Sequence, residues 1–391
     1  MIRCTTARVD LDALTGNLAA IAAHLAADAA HNRAAGAGTP HAPGIVAVVK
    51  ANAYGHGAVP VARALERAGV SMLAVADVEE GVQLRQAGIR APILVFGALS
   101  VSDASGVFEH DLTPTISSPA AGRSLARAAA ARGRRLGYHL KIDTGLHRLG
   151  FRHDNLARTL PELLASPALR MDAVHTHFAT ADEPESPLFE QQRRAFEAAC
   201  RVVDDLGGGP RLRHAANSAA IVRDSRVWYD LVRPGLLLYG LVPPPLHAAM
   251  GLRPVMSLTS RVVAVKGVRT GESVGYGARF VAARPTTIAV VPAGYADGLD
   301  RRLEGRGTVL VRGRRAPIVG AVSMDMLTVD VTDVVAVEPG DEVVLLGRQG
   351  DEPWQTIDAR EMAGWIGTIP YEVLCRLGAR VGREYLGTMR Q

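Results

Sequence analysis

Up to about residue 245, the chain alternates short β-branched runs with Ala/Leu/Arg stretches of helical period. The runs fall at 45–49, 72–76, 92–96, 112–116, 138–142, 171–175 and 211–214, with an eighth near 230–232. Helical stretches lie between most of them, as at 58–68, 78–87, 118–132 and 189–206. Eight strands alternating with helices predict a (β/α)8 TIM-type barrel, an α/β fold. The weakest helix of the set is the connection at 99–110, and 29–44 reads as a surface loop rich in Ala, Gly, His and Pro. After Pro243-Pro244-Pro245 the texture changes. Valine-rich runs at 258–265, 287–291, 308–311, 317–322, 326–331 and 342–346 are separated by turn residues, with helical periodicity only at 358–365. The expectation is a barrel over 1–245 and a C-terminal β-rich domain over 246–391.

Composition removes several function classes. The net charge of +5 is spread along the chain with no Lys/Arg run, which argues against nucleic-acid binding. Cys4, Cys200 and Cys375 are odd in number and form no CxxC pair, so neither a disulfide framework nor a metal site is expected. No apolar segment has signal-peptide or membrane-spanning length, and the expectation is a soluble cytoplasmic protein without membrane partners.

The lysines are more informative. Of 44 basic residues, only Lys50, Lys141 and Lys266 are lysines. Lysine can lose its proton and form an imine with a carbonyl; arginine does neither readily. In a barrel of this kind, chemistry sits at the C-terminal ends of the strands. Lys50 follows the first strand, and the fifth runs into Lys141, Asp143 and Arg148. The sixth gives His175 and His177, the seventh His214, Asn217 and Ser218, and the eighth Arg233, Gly235 and Leu236. The loops after strands seven and eight commonly bind phosphate, and a glycine there admits close backbone approach. A phosphate-bearing ligand beside a lysine points to pyridoxal 5'-phosphate (PLP), with Tyr54 or Tyr371 able to complete the phosphate cradle.

Val48-Val49-Lys50-Ala51-Asn52-Ala53-Tyr54-Gly55-His56-Gly57 resembles the PLP-lysine signature of the alanine racemases. The resemblance covers nearly the whole chain. It includes Lys141-Ile142-Asp143-Thr144-Gly145 with Arg148-Leu149-Gly150, Thr176-His177-Phe178, Ala216-Asn217-Ser218, Val232-Arg233-Pro234-Gly235, Gly294-Tyr295-Ala296-Asp297-Gly298, Ser323-Met324-Asp325 and Ile369-Pro370-Tyr371. His147 stands where the family often has glycine, and the tail 377–383 is looser than the usual ending.

The resemblance implies an isomerase that interconverts L- and D-alanine by a two-base mechanism, supplying D-alanine for peptidoglycan. Lys50 would hold PLP covalently and act as one base. Tyr295 would be the other, acting in the partner subunit's active site within a homodimer. Arg233 would hydrogen-bond the pyridine nitrogen, and His177 would link Tyr295 towards Arg233. Arg148 would contact the cofactor's phenolic oxygen and the substrate carboxylate. Tyr54, Asn217, Ser218, Gly235, Leu236 and Tyr371 would bind the cofactor, chiefly its phosphate. The Met324 backbone N–H would bind the substrate carboxylate, and Lys141 would carry a carbamate. Each residue also has a plain reading: Lys141 or Arg148 as an ion pair with Asp143, and His177 as a core histidine. Alternatives are a racemase of serine or broader specificity, another barrel-type PLP enzyme such as a decarboxylase or aldolase, or a non-catalytic PLP-binding protein.

Overall fold

The structure, a computed structural model, describes residues 4–34, 42–98 and 104–387. Its contacts divide the chain into two compact units. One comprises Ala13–Ala53 and Ala58–Arg253; the other comprises Met1–Asp12, Tyr54–Gly57 and Pro254–Gln391.

The first unit is a closed parallel barrel. Its strands, in chain order, are Gly44–Val48, Met72–Val75, Ile93–Val95, Thr113–Ile116, Leu136–Asp143, Leu169–His175, Leu212–Asn217 and Leu231–Arg233. Each pairs in parallel with its sequence neighbour, the fourth with the fifth through Thr115 and His139, and the eighth closes onto the first through Leu231–Gly44. Ile45, Leu73, Ile93, Leu94 and Leu140 are buried, as short apolar runs in a parallel sheet require. The helices Ala58–Arg67, Val78–Gln86, Pro119–Ala131 and Leu188–Asp205 lie where periodicity placed them. Asp77 and Ser118 cap two of these by accepting from Glu80 N and Ala121 N. The connection at 99–110 holds only the short helix Ser105–Glu109, and 99–103 lie outside the described residues.

One boundary needs correction. The helix Leu11–Ala34 runs into the segment read as a loop at 29–44. Alanine has the highest helix propensity, and the alanine-rich run carries the helix to Ala34. Residues 35–41 of that segment lie outside the described residues.

The second unit is β-rich. Its main sheet is ordered Arg314–Pro317, Thr308–Val311, Glu342–Gln349, Met256–Arg261, Thr6–Asp10, Gly382–Leu386, with Gln355–Ile357 also paired to Glu342–Gln349. A three-stranded antiparallel sheet joins Ala264–Val268, Thr286–Val291 and Leu327–Asp330. Two expectations differ here. The run at 258–265 is two strands in different sheets. The run at 317–322 is a connection, because Gly320 takes φ 67° and no regular strand continues through it. In the tail, whose sequence departs from the family's usual ending, Arg380 reaches the fully buried Asp297 at 3.1 Å and Asp325 at 2.7 Å. Among the described residues, no helix is long and apolar enough to cross a membrane.

Candidate active site

The chain leaves the first barrel strand through an unusual turn. Ala51, Asn52, Ala53 and Tyr54 all have φ near +53°. Left-handed backbone costs about 1–2 kcal/mol per non-glycine residue, so four in succession need external support. Three bonds supply it in the barrel unit. Ala51 N donates to Glu80 Oε1 (2.6 Å), Ala58 N to Asn52 Oδ1 (2.7 Å) and Ala53 N to Val49 O (2.8 Å). The other Glu80 oxygen accepts from Ala76 N at 2.8 Å. One carboxylate thus ties the turn carrying Lys50 to the end of the second strand. Glu80 and Asn52 escaped the sequence reading because nothing local marks a carboxylate as a backbone acceptor for a distant turn. Charge-assisted bonds of this kind contribute about 1.5–3 kcal/mol each. Glu80→Ala is therefore expected to lower stability by about 2 kcal/mol and to loosen the Lys50 turn. Urea unfolding, with amide exchange at Ala51 and Ala53, measures both.

At the mouth of the same barrel, the basic residues predicted at strand ends act on His177. Burial, then Lys141, Arg233, Arg148 and Lys50, hold the imidazole pKa well below its ordinary value. Lys141 is lowered too, first by burial and then by Arg233 and Arg148, with Asp143 opposing. Asp143 pairs instead with His147 (3.3 Å) and accepts from the Gly145 and His147 amides. Among the described residues neither Lys141 nor Arg148 forms an ion pair with Asp143, so the plain reading of those two residues does not hold.

Arg233 is 4% exposed. It donates to His214 Nδ1 (2.8 Å) and to the carbonyls of Thr176 (2.7 Å) and Ala215 (2.8 Å), and stands 3.5 Å from His177 Nδ1. None of these partners is an acid. Burial pushes its pKa down to about 9, which still leaves it protonated at neutral pH. Gln192, fully buried on helix Leu188–Asp205, donates to Thr144 Oγ1 and the His177 carbonyl and accepts from Ala179 N, fixing the ends of strands five and six.

The loops after strands seven and eight are bound together. Ser218 Oγ accepts from Gly235 N (2.9 Å) and Leu237 N (3.3 Å), and Asn217 Oδ1 caps Ala220 N (2.9 Å). The Leu236 N–H has no acceptor among the described residues. Gly235 N is occupied by the serine.

The β-rich unit holds the remaining candidates. Tyr54 and Tyr371 face each other with centroids 6.0 Å apart, and burial raises the Tyr54 pKa. Glycine is required beside them: a Cβ at Gly55, φ +80°, would lie 2.2 Å from Leu374 O. Tyr295 and Met324 share one small framework. Tyr295 N donates to Ser323 O (3.0 Å) and Ala296 N to Met324 O (3.1 Å), while Arg380 also donates to Met324 O (3.1 Å). Tyr295 is 43% exposed and Met324 51%.

The sequence reading passed over Tyr276. It is 76% exposed, in a 3-10 turn between Gly275 (φ 78°) and Gly277 (φ 74°), followed by Ala278 at φ 49°. A tyrosine bracketed by two glycines, in Val-Gly-Tyr-Gly-Ala, is the signal that marks it in the sequence.

Comparison with known proteins places this arrangement. The family model "Alanine racemase, N-terminal domain" matches residues 9–243, and "Alanine racemase, C-terminal domain" matches 255–385. An alanine racemase of Symbiobacterium thermophilum is 43% identical over 387 residues, covering 99% of this chain and 98% of that protein. One from Carboxydothermus hydrogenoformans is 45% identical, covering 87% and 92%. Among solved structures, the alanine racemase of D-cycloserine-producing Streptomyces lavendulae superposes with TM-score 0.91 at 37% identity, covering 100% of this chain and 98% of that one. With both domains matched, and barrel and β-rich unit both present, the chain belongs to the alanine racemase family.

Proposed function

We propose that this protein interconverts L- and D-alanine with PLP held on Lys50. The supporting observation is the set of basic residues at the barrel mouth: Lys50, Lys141, Arg148 and Arg233 all act electrostatically on one imidazole, and Asp143 is bound to its own loop. Such a donor set suits an anionic ligand, and the free Leu236 N–H beside Ser218 suits a phosphate oxygen. The residues present therefore fit the cofactor. When bound, PLP supplies an electron sink that makes the α-proton of an amino acid removable.

In this reading Lys50 accepts or returns that proton on one face, and a tyrosine does so on the other. Arg233 orients the pyridine nitrogen by donating a hydrogen bond while keeping its own proton. Ser218, Asn217, Gly235, Leu236, Tyr54 and Tyr371 hold the phosphate side; Gly235 acts by admitting close approach and through the serine its amide orders. Arg148 and the Met324 N–H receive the substrate carboxylate, and His177 couples the tyrosine towards Arg233. The tyrosine comes from the partner subunit of a homodimer, and the product serves peptidoglycan. The test is binding: the wild type should acquire a visible absorption band with PLP, and Lys50→Ala should bind it only reversibly and weakly. No band in the wild type would overturn the reading.

The tyrosine has two readings. Tyr295 is nominated by its motif. Tyr276 is favoured by geometry: a residue that acts in another subunit must project from its own, and Tyr276 is the more exposed of the two. Its turn also concentrates positive φ, and strain of this kind clusters at functional sites.

Lys141 is proposed to carry a carbamate. Only a neutral amine reacts with carbon dioxide, forming an N–C bond and releasing a proton. Burial among cations supplies the neutral amine, and the new negative charge would offset Arg148. Labelled bicarbonate should give one carbamate carbon resonance, absent in Lys141→Ala. It should fade as pH falls through the lowered lysine pKa, because protonation removes the nucleophile. An identical spectrum in wild type and variant would refute it.

A further inference from the structure

The interior of a (β/α)8 barrel is ordinarily filled by branched apolar side chains. Here His139, His175 and His214, from strands five, six and seven, are all buried and meet one another. His175 and His214 stack at 4.6 Å with planes 8° apart, and His139 meets His214 edge-on at 5.1 Å. His139 Nδ1 lies 3.0 Å from His214 Nε2, and His214 Nδ1 lies 2.8 Å from Arg233.

These two distances fix the protons. A guanidinium only donates, so His214 Nδ1 must present a lone pair to Arg233. A neutral imidazole carries one proton, so that of His214 sits on Nε2. It must then be donated to His139 Nδ1, which is left unprotonated in turn. The chain Arg233→His214→His139 therefore runs in one direction. The reverse tautomer of His214 would set two donors against each other at 2.8 Å. Charged forms are excluded by the same logic, since an imidazolium has no lone pair. The surroundings agree. Burial, with Arg233, His139 and Lys141 facing it, holds His214 well below its usual pKa. Burial pushes His139 down to about 4, with Asp172 opposing and Arg233 adding. His175, stacked on His214, is lowered first by burial, then by Lys141, His214, Arg233 and His139.

We propose that His139 is a positioning residue that accepts the His214 Nε2 proton, pins that ring and thereby orients Arg233 without an acidic partner. A carboxylate in the place of His214 would hold the guanidinium as firmly but would cancel its charge. Two neutral rings in series orient it and leave the charge directed at whatever occupies the barrel mouth. Hydrogen bonds in such a chain polarise one another, which tightens the grip of each. What that does for PLP rests on the function proposed above; the hydrogen-bonded chain does not.

The experiment uses full-length protein with nitrogen-15-labelled histidine, comparing wild type, His139→Asn and His139→Leu. The asparagine oxygen can stand in for Nδ1 as acceptor; leucine fills similar volume and accepts nothing. The wild type should show His214 with a bare Nδ1 and a protonated Nε2, unchanged across neutral pH. His139→Asn should keep that state; in His139→Leu the proton should stay on His214 Nε2, because Arg233 still donates to Nδ1, but it should lose its acceptor, moving its nitrogen resonance and speeding its exchange with solvent. The PLP dissociation constant should rise about tenfold in His139→Leu, equivalent to about 1.4 kcal/mol, and stay near wild type in His139→Asn. Should the leucine variant fail to fold, His139→Gln, whose amide reaches past the Nδ1 position, replaces it. A wild-type His214 protonated on Nδ1, or a His214 Nε2 resonance and exchange rate unchanged in the variant lacking the acceptor, would overturn the proposal. If no variant binds PLP, the functional reading fails, and the nitrogen shifts alone still decide whether His139 holds His214.

Discussion

Lys50→Ala is expected to lower racemisation by roughly 10³-fold or more, with far-ultraviolet circular dichroism unchanged. Two losses combine. The variant has no amine to bind the cofactor covalently, and no base on one face of the substrate, where positioned bases contribute about 10²–10⁴-fold. The fold should tolerate the change, because the turn after Lys50 is held by backbone bonds to Glu80, Asn52 and Val49 that do not involve its amine. Added methylamine should restore part of the rate by supplying the missing amine from solution. A variant that keeps more than a tenth of the wild-type rate would show that Lys50 is not the base.

The two tyrosine variants should differ sharply. If Tyr276 is the second base, Tyr276→Phe loses about 10²–10⁴-fold. Proton removal should then slow more from one enantiomer than from the other, since Lys50 still serves one face. Tyr295→Phe, on the turn stitched to Ser323 and Met324, should affect KM more than kcat. The reverse pattern would return the role to Tyr295. Subunit mixing tests whether the site is shared. Combined Lys50→Ala and tyrosine→Phe proteins, exchanged into hybrids, regain activity only if the two bases come from different chains. Such a hybrid has one site with both bases intact. Failure to regain activity in verified hybrids would place both bases on one chain.

The sequence made the barrel readable because each buried parallel strand is a short apolar run, and its helices were marked by periodicity and by Asp77 and Ser118 as caps. The strand-end positions of Lys50, Lys141, His177, Ser218 and Arg233 followed from that alternation alone. What escaped notice depends on distant partners. The left-handed turn at Ala51–Tyr54 contains only one glycine neighbour and is held from Glu80, about thirty residues away. Thr6–Asp10 is too short to be assigned alone and is a strand because it pairs with Met256–Arg261 and Gly382–Leu386. His139, His175 and His214 are widely separated in sequence, and only barrel closure brings them together. Tyr276 differs in kind: its glycines were in view, and its exposure was not.

The most direct test of the central claim is L-alanine in heavy water with the PLP-loaded protein, following circular dichroism and α-deuterium by NMR, with Lys50→Ala alongside. The account predicts loss of optical activity together with deuterium uptake, both absent in the variant. Alanine that keeps its chirality with PLP bound would contradict it and direct the search to serine and other amino acids.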